Sequence, residues 1–380
     1  MILVNNPGSW SYAFSPLKHA PWHGCTPTDL VFPFFLFAVG NAMAFVMPRL
    51  KEAGDNVFWK KVLKRTALIF LIGLLLNWYP FVQWEDGTLG FKHWVNPLNE
   101  SGVRIFGVLQ RIALCYGIAS IIVYLSKPKT VLVICALILL GYWFICAFFG
   151  STNPYSLEGW FGTAIDKQVL GLAHMYKGEG VPFEPEGIAS TFTAVVQVVI
   201  GYLVGNHIRG FGKKLVDEKS TQSIYQLISA LAITAALLTL AGLAWGLAFP
   251  INKKIWTSSY VLYTSGLALT TLSVMIWFIE VKQFKNWSTK FFDVFGKNPL
   301  FIFVMSALIP KTLSLIRITD GISADGKQVY TSPLRWFYAE ICAKFPGPPE
   351  VGSFIYALCF LAALWLICYI MDKKKIYVKV

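Results

Sequence analysis

Apolar blocks of about 18–24 residues recur along this chain, and that length constrains its fold more than any other feature. It is the length a helix needs to cross a hydrocarbon core of about 30 Å. The blocks fall at about 29–48, 62–80, 105–126, 130–149, 187–207, 225–249, 257–280, 294–315 and 352–371. Of the 380 residues, 56% are hydrophobic and 14% charged, where a soluble domain has about 45–50% apolar residues and a quarter charged. Residues 1–6 are apolar but too short to span, and they read as the outer end of a helix. They carry no charged leader region and no cleavage site of a signal peptide. The expectation is an all-α polytopic membrane bundle of about ten transmembrane helices, the first truncated, forming one domain over 1–380.

Charge sorts the connections into two sets. One set is short and basic: Arg49 to Arg65, Lys127 and Lys129, Arg209 to Lys219, Lys282 to Lys290, and the tail from Lys373 to Lys379. Excess Lys and Arg marks cytoplasmic loops, so this set and the C-terminus are expected inside. The other set (7–28, 81–104, 150–186, 250–256 and 316–351) is longer and less basic. The same sorting accounts for the net charge of +13 without nucleic acid, because the cations follow loops rather than one helix face or a stacking platform. Seven cysteines, mostly inside apolar blocks, do not form a disulfide framework.

Long loops in a compact bundle are usually functional, and His19, His23, His93 and His174 all fall in the outer set. The segment from His19 to Pro33 places two histidines, Trp22 and Asp29 directly before an apolar helix. Asp29 would orient and stabilise a protonated His19 as in base–orienter pairs, or it would simply cap the helix. Zinc held by His19, His23 and Asp29 matches no strong ligand spacing.

Arg104 and Arg111 are seven residues apart and would share one helix face, with Gln110 beside them. Arg111 then lies about two turns inside an apolar span, where an ionised group is costly and by default functional. It would hold a phosphate, a carboxylate or an inward-facing acid, or make a structural ion pair. Glu184 and Glu186 open the span at 187, as caps favoured by the helix dipole or as acceptors for an amine or hydroxyl. Asp166 and His174 add polar groups to that loop. Asn252, Lys253, Lys254 and Trp256 form a further polar group, with Asn298 on the next span. Topology does not explain Lys253 and Lys254. Trp256 reads as a stacking ring for a sugar or as a member of the interfacial aromatic belt. No phosphate-binding loop, dinucleotide fingerprint or zinc-protease motif is present.

These residues resemble a known family. Met1 to Asn5, Lys18 to Gly24, Thr28 to Pro33, Gly107 to Arg111, Glu184 to Gly187, Pro250 to Lys253 with Trp256, Ser259 and Tyr260, and the charged tail are similar to heparan-α-glucosaminide N-acetyltransferase and its bacterial relatives. The first stretches and Pro250 to Lys253 are the most specific. The resemblance implies one transmembrane acyltransferase domain that takes acetyl from cytoplasmic acetyl-CoA and delivers it to the amine of a terminal glucosamine. The bacterial relatives imply an inner membrane. It implies that His19 is the acetyl carrier or general base, that Asp29 is the acid that follows it, and that Asn5 is an oxyanion donor. Trp22, His23, Glu186, Asn252, Lys253 and Trp256 would bind the sugar. Arg104, Gln110, Arg111 and Asn298 would bind acetyl-CoA. No metal is implied. His23 stands where the lysosomal enzyme has Asn, and the family's full first helix begins before the point where this chain starts.

The expected partners are an amino sugar and the lipid bilayer, not nucleic acid; oligomeric state is left open, a homodimer included. The other reading is a transporter for an amino sugar or N-acetylglucosamine, which a bundle with polar groups at depth also permits. No inverted repeat or pair of broken helices favours it.

Overall fold

The computed structural model describes residues 1–85, 87–96, 101–218, 221–322, 326 and 328–378, with the side chains of 213–218 and 221 excepted. Lys219 and Lys379 lie outside the described residues, as do the side chains of Lys213 and Lys214. In chain order the helices are α1 (Ile2–Asn5), α2 (Val31–Glu52), α3 (Asp55–Trp78), α4 (Val108–Leu125), α5 (Pro128–Phe149), α6 (Gly162–Leu170), α7 (Ile188–Glu218), α8 (Thr221–Gly246), α9 (Ser258–Ile276), α10 (Trp287–Lys297), α11 (Pro299–Leu313), α12 (Pro333–Glu340) and α13 (Pro349–Lys373). Two antiparallel hairpins interrupt them: β1 (Val82–Glu85) with β2 (Thr88–Phe91), and β3 (Ile318–Ile322) with β4 (Gln328–Thr331). The protein is therefore mostly helical rather than wholly so.

Among the described residues seven helices are long and apolar enough to cross a membrane, or eight if the bent pair α10 and α11 counts as one span. The expected spans at 1–6, 62–80 and 294–315 are not among the seven. At the front, α1 is a single turn. Over 62–80, α3 is long enough, but Lys60, Lys61, Lys64 and Arg65 occupy its first half. The span expected at 294–315 is broken, since α10 and α11 meet at 80°. Pro299 opens α11, where its missing N–H costs nothing. Asn298 before it donates through Nδ2 to Ile376 O and accepts from Val378 N.

The chain divides into two compact units. The first comprises 1–19, 75–99 and 285–380. Its core joins Ile2 of α1, Val294 of α10, Ile302 of α11, and Phe360, Leu364 and Cys368 of α13. Arg317 lies over Trp84 at 3.8 Å and over Tyr330 at 5.0 Å, which ties the two hairpins together.

The second unit comprises 20–74 and 100–284. Its centre is α7: 72% of the apolar window of α7 is buried, against 28% for α5 and 22% for α8. The outer faces of the latter two, with Leu137, Phe144, Phe148, Leu237 and Leu240 exposed, suit lipid as solvent. Apolar attraction does not drive helices together in lipid, so close backbone approach must hold them. The α2–α7 pair shows it. A Cβ on Gly40 would lie 1.8 Å from Val198 O, and one on Gly201 would lie 2.0 Å from Phe37 O. Phe37, Val204, Leu227, Leu231 and Leu269 then join α2, α7, α8 and α9.

Candidate active site

In the second unit, the loop before α2 folds back on Asp29. A tight turn from Thr26 makes a capping box with Asp29. Oδ2 of Asp29 accepts from Ala20 N, Thr26 N and Thr26 Oγ1, each at 3.0 Å. Its Oδ1 lies 3.3 Å from Lys253 Nζ, and its carbonyl accepts from the Tyr260 hydroxyl at 2.6 Å. Asp29 is 1% exposed, so it acts both as the cap and as the partner of a buried cation. Burial lowers the Lys253 pKa, opposed by Asp29 and then Glu186. The nearby Cys25 thiol is pushed up to about 12, by burial first and then by Asp29. It stays protonated and is no nucleophile.

Asn252 organises the opposite wall. Its Oδ1 accepts from Lys254 N at 2.7 Å and Ile255 N at 3.1 Å, which fixes the amide orientation. Its Nδ2 therefore faces His23 Nδ1, at 3.4 Å. A donor there makes Nδ1 the acceptor, so a neutral His23 carries its proton on Nε2. Desolvation lowers the His23 pKa and favours that neutral form. Lys254 closes the same loop. Its Nζ reaches Glu179 at 2.5 Å and Pro21 O at 2.7 Å, and lies 5.6 Å from the Trp22 ring. Trp22 Nε1 donates to Tyr155 O at 2.7 Å. The two lysines that topology left unexplained thus each have a carboxylate partner.

Arg104 and Arg111 do not share a helix face. Gly107 is extended and α4 begins at Val108, so Arg104 lies in a strap that hydrogen-bonds to 173–174. Arg111 is in the first turn of α4, not two turns deep. Arg104 bridges both acids: Nε reaches Glu184 at 3.0 Å, and Nη2 reaches Glu184 and, at 2.5 Å, Glu186. Burial raises the Glu184 pKa against that pairing. Glu186, despite its burial, is held low by Arg104, Arg111 and Lys253.

Arg111 is wholly buried. Its Nη2 donates to Ser190 Oγ and to Gly187 O, the latter at 3.2 Å, and the guanidinium lies 5.1 Å from the Trp256 ring. Its Nε and Nη1 have no hydrogen-bond partner among the described residues. Trp256 is 1% exposed, its ring edge-on to Phe32 and Tyr260. Its backbone is left-handed (φ 48), a conformation that is rare for a bulky residue, and the Thr193 hydroxyl donates to its carbonyl at 2.7 Å. Asp166 Oδ1 accepts from Ile188 N at 2.9 Å and its Oδ2 has no hydrogen-bond partner among the described residues. Burial lifts its pKa to about 6.

Gln110 is buried and donates to Ile105 O at 2.8 Å, so it braces the strap. Asn298 clasps the tail in the first unit, as described above. Also in the first unit, Asn5 is exposed on α1. His19 is exposed and lines a cavity of about 250 Å³ with Trp10, Phe14, Glu350 and Phe354. Sequence reasoning missed Ser190 and Glu179, which match no motif and become legible only through their partners. It also missed Trp10 and Glu350. Among the described residues no group of three or more His, Cys, Asp and Glu side chains gathers as a metal site.

The second unit is thus a membrane-embedded helical scaffold whose interhelical loops hold buried, paired charges and one guanidinium with spare donors. The model of the family described as heparan-alpha-glucosaminide N-acetyltransferase, catalytic, matches residues 12–166, a stretch that contains His19, Asp29, Arg104 and Arg111. The chain is 24% identical to heparan-alpha-glucosaminide N-acetyltransferase of Homo sapiens, over the whole of this chain and 58% of that protein. It is also 24% identical to the Mus musculus protein, with the same coverage. It thus spans less than two thirds of the length of these relatives. The resemblance read from the sequence is found by both comparisons.

Proposed function

We propose that this protein is a multi-pass membrane acetyltransferase that moves acetyl from cytoplasmic acetyl-CoA to the amine of an extracytoplasmic amino sugar, a terminal glucosamine. The observation that carries the reading is the match over 12–166 to the catalytic model of an N-acetyltransferase family. It is supported by an exposed histidine inside that stretch, at the edge of a cavity. A bacterial inner membrane with the C-terminus inside agrees with the loop charges.

In the proposed reaction the thioester C–S bond breaks and an amide C–N bond forms. By one route the His19 imidazole attacks the thioester carbonyl, the CoA thiolate leaves, and the sugar amine then takes the acetyl from the imidazole. By the other, His19 takes the ammonium proton and the amine attacks directly. In both routes the amine loses its proton and CoA leaves as the thiol. Asp29 accepts from the backbone N–H of Ala20, the residue after His19 in the chain. Asn5 supplies a donor to the developing oxyanion. The free Nε–H and Nη1–H of Arg111 suit carbonyl or phosphate oxygens of acetyl-CoA, whereas Arg104 is held by Glu184 and Glu186.

The test is purified full-length chain in detergent with labelled acetyl-CoA and glucosamine. Labelled N-acetylglucosamine is expected without any membrane barrier. A well-folded protein that forms none with several amino sugars, yet exchanges labelled sugar across proteoliposomes, is a transporter instead.

A further inference from the structure

The cavity at His19 is built within the first unit alone. One wall is aromatic: Trp10, which is 65% exposed, and Phe14, whose ring meets Phe354 edge-on at 6.0 Å. The other is the first turns of α13, and Leu3, Pro7, Leu17 and Lys18 line the space between them. Glu350 and Phe354 are four residues apart, so they share a helix face, and Ser353 and Ala357 are too small to fill the space beside them. Ser353 is turned away, since its hydroxyl donates to Ser9 O at 3.2 Å and accepts from Ser9 N at 3.0 Å. The half-buried Glu350 carboxylate makes no ion pair or hydrogen bond among the described residues. The space left is about 250 Å³, the volume of about eight waters at liquid density and that of a single sugar ring.

The aliphatic part of the lining would suit a hydrocarbon tail, but burying the Glu350 carboxylate beside one would be costly. A pyranose has what this lining asks for. Its C–H face packs on an aromatic ring, an amphipathic surface suited to such contact, and its hydroxyls donate to a carboxylate.

We infer that this cavity is the acceptor subsite, with Trp10 as the stacking platform for one amino-sugar ring and Glu350 as acceptor for its hydroxyls, which turns the amine toward His19. The inference rests on the acetyltransferase reading for the direction of the amine, but not for the binding itself. Acid at the start of a helix also complements the dipole. That structural role predicts a change in stability for Glu350→Gln but none in sugar affinity.

The experiment is equilibrium binding of labelled glucosamine to purified full-length chain in detergent without acetyl-CoA, together with KM values for both substrates. The wild type is compared with Trp10→Ala and Glu350→Gln, each checked for folding by size exclusion. Each variant is expected to weaken glucosamine binding about tenfold, the loss of one good contact, and to raise the glucosamine KM alike while the acetyl-CoA KM stays. Unchanged glucosamine affinity and KM in both folded variants, with product still formed, overturns the subsite and leaves the acetyltransferase reading standing. Binding that is lost in the variants of a protein that makes no product keeps the subsite and overturns the reading. A wild-type chain that neither binds glucosamine nor acetylates it overturns both.

Discussion

Lys253 reaches Asp29 at 3.3 Å, and that pair joins the loop after His19 to the turn before α9, two segments more than two hundred residues apart. Asp29 cannot leave the pair cheaply, because it is buried and already accepts three hydrogen bonds through its other oxygen. Replacing Lys253 with Met strands that carboxylate. Breaking a buried pair on one side costs about 3 kcal/mol or more. Lys253→Met is expected to lower the melting temperature in detergent and to abolish acetylation, while Lys253→Arg keeps most of the stability. A Lys253→Met protein that melts as the wild type does would show that the pair holds nothing together.

Asp166 makes stability depend on pH in a defined direction. Burial raises its pKa from 3.8 to about 6, so between those values the folded protein holds a proton that the unfolded chain has lost. Its favourable contribution is present below about pH 4 and is lost as pH rises through about 6. Asp166→Asn keeps an acceptor for Ile188 N and removes the charge. Relative to the wild type it is expected to be more stable at pH 7.5, by at most about 3 kcal/mol, with the advantage gone at pH 4. Thermal melts of both proteins at the two pH values check this.

Two nitrogens of Arg111, Nε and Nη1, have no hydrogen-bond partner among the described residues at a wholly buried site. Lysine keeps the charge but loses the planar fork. Arg111→Lys is expected to raise the KM for acetyl-CoA about tenfold or more, the loss of one charged hydrogen bond, and to leave the glucosamine KM unchanged. Steady-state kinetics with each substrate varied in turn decides it.

The α2–α7 contact depends on absent side chains. A methyl group on Gly201 would meet Phe37 O at 2.0 Å, whereas Gly210 on the same helix has nothing within 4 Å. Gly201→Ala is expected to destabilise by about 1–3 kcal/mol, and Gly210→Ala to be neutral or to stabilise slightly. Melting of the two variants side by side gives the contrast.

Most spans were legible because an apolar run of the right length has one outcome in lipid, and α2, α4, α5, α7, α8, α9 and α13 follow from it. The break at Asn298-Pro299 was legible too, in a proline that removes a donor, but 294–315 was read as one span across it. The hairpin β1–β2 was signalled by Asp86-Gly87 between short alternating runs, in a segment read only for its length and charge. Arg104 was misplaced because spacing alone assumed a helix that Gly107 delays. The site was legible as residue types, not as partners. Nothing local to Asp29 names Lys253, nothing near Arg111 names Ser190, and the cavity at His19 is made by residues 3 to 19 meeting 350 to 357.

The most direct test of the account is acetyl transfer by the wild type and by a folded His19→Ala protein, given the same labelled acetyl-CoA and glucosamine. The account predicts labelled N-acetylglucosamine from the wild type and a rate at least about a hundredfold lower from His19→Ala, the scale of one positioned acid–base group. Product formed at an undiminished rate by the folded variant would contradict it.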